Sequence, residues 1–162
     1  MRIAVITCSN RSARGERADD SGQLLRAALA DLGHDLLEPV VVPDEVAAIR
    51  AALSAACDAG ADVVLTTGGT GLTPTDVTPE AVAPMLERTI PGIAEALRAV
   101  SRDRVPTSVL SRGVAGLVGR TLVVTLPGSP GGAKDGLAVL TPLLEHIVDQ
   151  VAGGDHAPGG GV

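Results

Sequence analysis

The sequence predicts a three-layer α/β/α domain, a mostly parallel open sheet with an antiparallel hairpin at one edge. Three observations carry this expectation. Short apolar runs rich in β-branched residues alternate with stretches whose apolar residues recur at helical spacing. Two glycine-rich segments each join the end of such a run to the start of a helix. Late in the chain, two apolar runs are separated only by Gly119-Arg120, a glycine-containing two-residue connection that reads as a hairpin.

In order, residues 3–8 form the first strand; their apolar run is too short for a signal peptide. The polar exit, residues 9–17, carries Arg11, Arg14 and Arg17 and reads either as a surface loop or as a closure over an anionic ligand. Asp20 or Ser21 is expected to cap a helix whose Leu24, Leu25, Ala28, Leu29 and Leu32 form one apolar stripe, ended by Gly33. Residues 36–42 read as one strand, with Pro39 marking an edge or an irregular position. Asp44 then stands where the helix carrying Val46, Ile49, Leu53, Ala56 and Cys57 needs a cap.

Residues 61–65 have the length and β-branched content of a buried strand. A helix is expected over residues 79–88, with Thr78 as its cap and Pro79 at its first position. Ile90-Pro91-Gly92 breaks the chain before a helix through Ile93, Ala96, Leu97 and Val100. A Ser/Thr/Pro segment, the hairpin of residues 113–118 and 121–126, and a helix carrying Leu137, Leu140, Leu144, Ile147, Val148 and Val151 complete the domain. Residues 1–152 are read as one domain and residues 153–162 as a flexible tail without function.

Composition narrows the functional classes. A chain of 162 residues that is 45% hydrophobic can bury a full core as one domain. Its net charge of −6 and lack of a basic run argue against nucleic acid and a membrane surface as partners. No stretch approaches the length of a membrane span. Cys8 and Cys57 lie in apolar settings without metal-like spacing and read as free thiols of a reducing cytoplasm. His34, His146 and His156 likewise lack the spacing of a ligand set. With no Phe, Tyr or Trp, a bound flat ring has to be recognised by backbone, aliphatic walls and arginine planes. Lys134, the single lysine, lies beside Gly131-Gly132 and reads either as a ligand contact or as a solvated charge.

The most informative stretch runs from Thr66 to Ala81. Three glycines and four threonines fall within residues 66–73, so the backbone can turn sharply and approach a ligand with N–H groups and hydroxyls. This reads as an anion site more readily than as a plain turn, which needs only one glycine. No Gly-Lys-Ser/Thr follows, and the spacing is not the dinucleotide fingerprint. The second loop, Pro127-Gly128-Ser129-Pro130-Gly131-Gly132, also links a strand to a helix, so the two can face each other across a crevice.

Gly68-Gly69-Thr70-Gly71 followed by Asp76-Val77-Thr78-Pro79-Glu80-Ala81 resembles the signature of the molybdenum-cofactor biosynthesis family of the Mog and MoaB type. Asp20-Ser21-Gly22, Val42-Pro43-Asp44-Glu45, Val105-Pro106-Thr107-Ser108-Val109-Leu110-Ser111-Arg112 and Leu126-Pro127-Gly128-Ser129-Pro130 agree with it. The resemblance covers about residues 1–150 and implies the molybdopterin-binding fold of that family. It also implies transfer of AMP from Mg-ATP to the terminal phosphate of molybdopterin, with release of pyrophosphate, by a cytoplasmic homotrimer. For the site it implies Gly68, Gly69, Thr70 and Gly71 as the phosphate loop and Asp44 and Asp76 as catalytic acids and Mg²⁺ ligands. Ser9, Asp20, Ser21, Ser111, Gly128, Ser129 and Lys134 become further members of the pocket. The alternatives are a MoaB-type protein that binds molybdopterin with little or no transferase activity, and a flavodoxin-like domain whose loops hold another phosphate.

Overall fold

A computed structural model of the chain describes residues 1–154. Seven strands form one sheet: β1 (Arg2–Cys8), β2 (Asp35–Leu36), β3 (Val40–Val42), β4 (Val63–Thr67), β5 (Arg88–Thr89), β6 (Ala115–Val118) and β7 (Thr121–Leu126). Their spatial order is β2-β1-β4-β7-β6-β5, with β3 also pairing β1. The β1, β4 and β7 strands are parallel neighbours, pairing Val5 with Leu65 and Leu65 with Val124, whereas β5 and β6 run antiparallel.

The helices are α1 (Asn10–Ala13), α2 (Asp20–Asp31), α3 (Val46–Asp58), α4 (Thr78–Val82), α5 (Pro91–Ala99) and α6 (Pro130–Val151). Alternate residues of the parallel strands point to opposite faces. Ile3, Val5, Val63, Leu65 and Val124 pack with Leu25, Leu29, Ile93, Leu140 and Leu144 of α2, α5 and α6. On the other face Ala4, Ile6, Val64 and Val123 pack with Ile49 and Leu53 of α3 and Ala81 and Val82 of α4. Central strands buried on both faces explain why β4 and β7 read as continuous apolar runs. The expected three layers and the Gly119-Arg120 hairpin, where Val118 pairs with Thr121, are both present.

Several local expectations are corrected. The strand expected over residues 36–42 is broken around Pro39, and its two halves pair with opposite ends of β1. The loop of residues 9–17 contains the helical turn α1, capped by Ser9. The helix expected over residues 79–88 stops at Val82, passes into a 3₁₀ turn at Ala83–Met85 containing Pro84, and gives way to β5. Neither Asp20 nor Ser21 caps α2: the cap is Asp19, whose Oδ1 accepts the Gly22 N–H at 2.9 Å. Cys8 is buried and free, and Cys57 is free but only half-buried. Most of the tail, including His156, lies outside the described residues. Among the described residues no helix is long and apolar enough to cross a membrane.

Candidate active site

β1, β4 and β7 end side by side at Cys8, Thr67 and Leu126, and the loops that leave them form one rim. The connection from β1 leads to β2 on one side, while that from β4 leads toward β5 on the other, so a crevice opens between them. A cavity of about 640 Å³ fills it, lined by residues 7–12, 17–21, 67–71 and 127–130 with Asp44, Thr75 and Asp76. A second cavity of about 540 Å³ adjoins it across Thr70, Gly71, Pro127 and Ser129; its walls include Leu72, Ala94, Leu97, Val105 and Leu110. One compartment is thus polar and acid-lined, the other apolar.

Residues 68–77 follow β4 directly. Gly69 has φ +63°, and a Cβ there would stand 2.3 Å from Thr78 Oγ1 and 3.3 Å from Asp44 Oδ1. The fold therefore requires glycine at this position through its own packing. Thr78 does not cap α4, a place taken by Val77; its hydroxyl donates to Gly68 O at 2.9 Å and its N–H to Gly69 O at 3.0 Å. These bonds close the loop on itself. The N–H groups of residues 69–72 donate to no described acceptor. Four successive amides without a partner among the described residues are the chemistry with which a backbone can hold an anion.

The second glycine-rich loop touches the first. A Cβ on Gly128 would lie 2.9 Å from Gly68 Cα, and Thr67 Oγ1 donates to Pro127 O at 2.8 Å. Ser129 caps α6, accepting the Gly132 N–H at 3.1 Å, so the positive end of a 22-residue helix faces the rim.

The acids are individually held. Asp44 does not cap α3, whose cap position is Glu45 without a side-chain bond; instead Asp44 Oδ2 accepts the Asn10 N–H at 2.8 Å. Asp76 Oδ2 accepts both the N–H and the hydroxyl of Thr73, at 2.8 and 2.7 Å. In each carboxylate Oδ1 accepts no hydrogen bond from a described residue, which leaves one oxygen apiece for a cation. Among the described residues no three His, Cys, Asp or Glu side chains gather as a metal site. Two carboxylates with open oxygens fit Mg²⁺, which is usually held by one or two carboxylates and completed by water and substrate phosphates. Asp20 is exposed on the polar cavity, Ser21 is buried at its floor, and Ser9 lies on its wall as the α1 cap.

Ser111 lines the apolar cavity and not the polar one. Lys134, expected in the pocket, is exposed on α6 and lines neither cavity, because its helical phase turns it away from the rim. Of the arginine loop that reads either as a surface loop or as a closure over an anion, two members reach the site. Arg11 and Arg17 line the polar cavity, whereas Arg14 of the same loop is engaged by Glu16 at 2.7 Å. Asn10 holds Asp44, and Arg112 holds the loop after β4. Asn10 and Arg112 were not anticipated as site residues; Arg112 ends one of the stretches that carry the family resemblance, whereas no local pattern signals Asn10. Beneath the loop, burial is the main cause pushing the Cys8 thiol up to about 12, so it stays protonated and is no nucleophile.

An open, mostly parallel α/β sheet with paired glycine loops at a topological switch defines a protein of the doubly wound kind. More specifically, the chain belongs to the family described as "Probable molybdopterin binding domain", whose model matches residues 4–146. It is 37% identical to the molybdenum cofactor biosynthesis bifunctional protein of Chlorobaculum tepidum over 96% of this chain and 50% of that protein. It is 39% identical to a molybdopterin adenylyltransferase of Pyrococcus furiosus, covering 91% of this chain and 89% of that one. The chain spans about half the length of the bifunctional relatives it matches. Among solved structures, the molybdopterin biosynthesis enzyme MoaB of Thermus thermophilus superposes with a TM-score of 0.88 at 43% identity, covering 94% of this chain and 96% of that one.

Proposed function

We propose that this chain binds molybdopterin and transfers AMP from Mg-ATP to its terminal phosphate, releasing pyrophosphate, in molybdenum-cofactor biosynthesis. The observation that carries the reading is the row of four unpaired amides at residues 69–72, bordered by Asp44 and Asp76 and shared between a polar and an apolar compartment. Phosphate groups sit on amides of residues 69–72, 128 and 129, where the α6 dipole adds positive potential. The aliphatic walls of the second compartment hold a flat ring without aromatic stacking. Arg11 and Arg17 offset the charge of the polyphosphate, and the crevice aligns the attacking phosphate with the α-phosphate. Mg²⁺, held by Asp44 and Asp76, would supply charge neutralisation on the phosphate oxygens.

A pyrophosphate-release assay with molybdopterin and ATP tests the reading. Stoichiometric pyrophosphate supports it. Bound pterin fluorescence without pyrophosphate would make the chain a MoaB-type binding protein; neither signal would leave only a phosphate-binding domain of this fold. The protein is cytoplasmic and homotrimeric in this reading. Exposed Val100 and Val109, which line neither of the two cavities, support subunit contact, and light scattering should give about three times 16.2 kDa.

A further inference from the structure

Arg112 follows the 3₁₀ turn Pro106–Leu110 and precedes β6, yet its side chain reaches across to the loop after β4. Its Nε donates to Gly71 O at 2.8 Å, one terminal nitrogen donates to Asp76 O at 2.6 Å, and the other pairs with Glu80 Oε1. Its backbone N–H donates to Thr70 O at 2.9 Å. A single residue thus fixes both ends of the segment from residue 70 to residue 76 and ties it to α4.

We propose that Arg112 is the positioning residue of the phosphate loop: by drawing the carbonyls of Thr70, Gly71 and Asp76 toward itself, it turns the free amides of Gly71 and Leu72 to the opposite side and sets where Asp76 stands. In a planar trans peptide the C=O and N–H point in opposite directions, so carbonyls held by Arg112 leave the N–H of residues 71 and 72 directed away from it. The bond to Asp76 O anchors the backbone from which the Asp76 carboxylate projects. Three acceptors in different directions use all three guanidinium nitrogens, a pattern that the single ammonium of lysine does not reproduce. The Arg112 guanidinium also holds the Glu80 carboxyl below its ordinary range, chiefly through their hydrogen bond. Glu80 is the exposed partner, with its side chain 50% accessible, so the carbonyl bonds are the positioning ones.

This inference rests on the phosphate-loop reading above, and the test separates the two. Inorganic tripolyphosphate is titrated calorimetrically into the intact protein, without and with Mg²⁺, for the parent, Arg112→Lys, Arg112→Met and Glu80→Gln; pyrophosphate release and thermal midpoints are followed in parallel. Both Arg112 variants are expected to bind tripolyphosphate about tenfold or more weakly and to lose turnover, with Arg112→Lys still cooperatively folded. Glu80→Gln, which keeps the carbonyl bonds, is expected to stay within about threefold of the parent. Arg112→Lys at parental affinity overturns the proposal, as does Glu80→Gln losing as much as Arg112→Met. A parent that binds no tripolyphosphate overturns the phosphate-loop reading itself.

Discussion

Asn10 and Asp44 hold each other across two loops: the Asn10 N–H donates to Asp44 Oδ2 at 2.8 Å, and Asp44 N–H donates to Asn10 Oδ1 at 3.0 Å. The pair joins the exit of β1 to the exit of β3 and leaves Asp44 Oδ1 toward Gly69. Asn10→Ala removes one bond and strands the Asp44 amide, so unfolding free energy should fall by about 1 kcal/mol. The half-saturating Mg²⁺ concentration for pyrophosphate release should rise in the same variant. An unchanged metal requirement would confine the pair to a structural role.

Asp76→Asn keeps size and loop bonds while removing charge beside the amides of residues 69–72. Turnover should fall on the order of 100-fold, with metal-free pterin affinity unchanged or tighter as repulsion is relieved. Turnover within about tenfold of the parent would refute a metal role for Asp76.

Gly69 and Gly71 should fail differently when replaced by Ala. At Gly69 the left-handed φ of +63° and the Thr78 contact both oppose a side chain, predicting a stability loss of about 1–3 kcal/mol together with lost anion binding. At Gly71 φ is ordinary, and the added Cβ meets Asp76 Oδ2 at 2.8 Å. Gly71→Ala should therefore shift the metal requirement more than the denaturant midpoint. Equal loss of stability in both would contradict this division.

Arg17→Gln should weaken ATP binding about several-fold at low salt and much less at high salt, because a rim charge acts through a screened field. Arg14→Gln, whose side chain is occupied by Glu16, should leave ATP binding unchanged at either salt. Titrations at two ionic strengths distinguish them.

Burial raises the Cys8 pKa from an ordinary 9.0 to about 12. Between those values the unfolded chain loses the thiol proton while the folded chain keeps it, so folding stability falls as pH rises through this window and is fully present below it. Urea unfolding of parent and Cys8→Ala across about pH 8.5 to 10.5 should show the steeper decline in the parent. Parallel slopes would place the cause elsewhere, Cys57 included.

The sequence by itself determined the layers, the rim and the family. Alternating strand and helix patterns, glycine runs at strand ends and a two-residue hairpin are signals carried within a few neighbouring residues, and burial on both faces of β4 and β7 amplifies them. Tertiary structure decided which polar side chain serves which backbone group. Asp44, Asp20 and Thr78 all have the chemistry of a helix cap, yet Asp44 binds Asn10, Asp19 caps α2 in place of Asp20, and Thr78 binds Gly68 O. Each assignment depends on how closely another segment approaches, as does the reach of Arg112 over 41 positions to Gly71. The choice between the two readings of Lys134 is of the same kind: the phase of α6 against the sheet is set by Leu137, Leu140 and Leu144 packing into the core, and that packing leaves the lysine exposed outside both cavities.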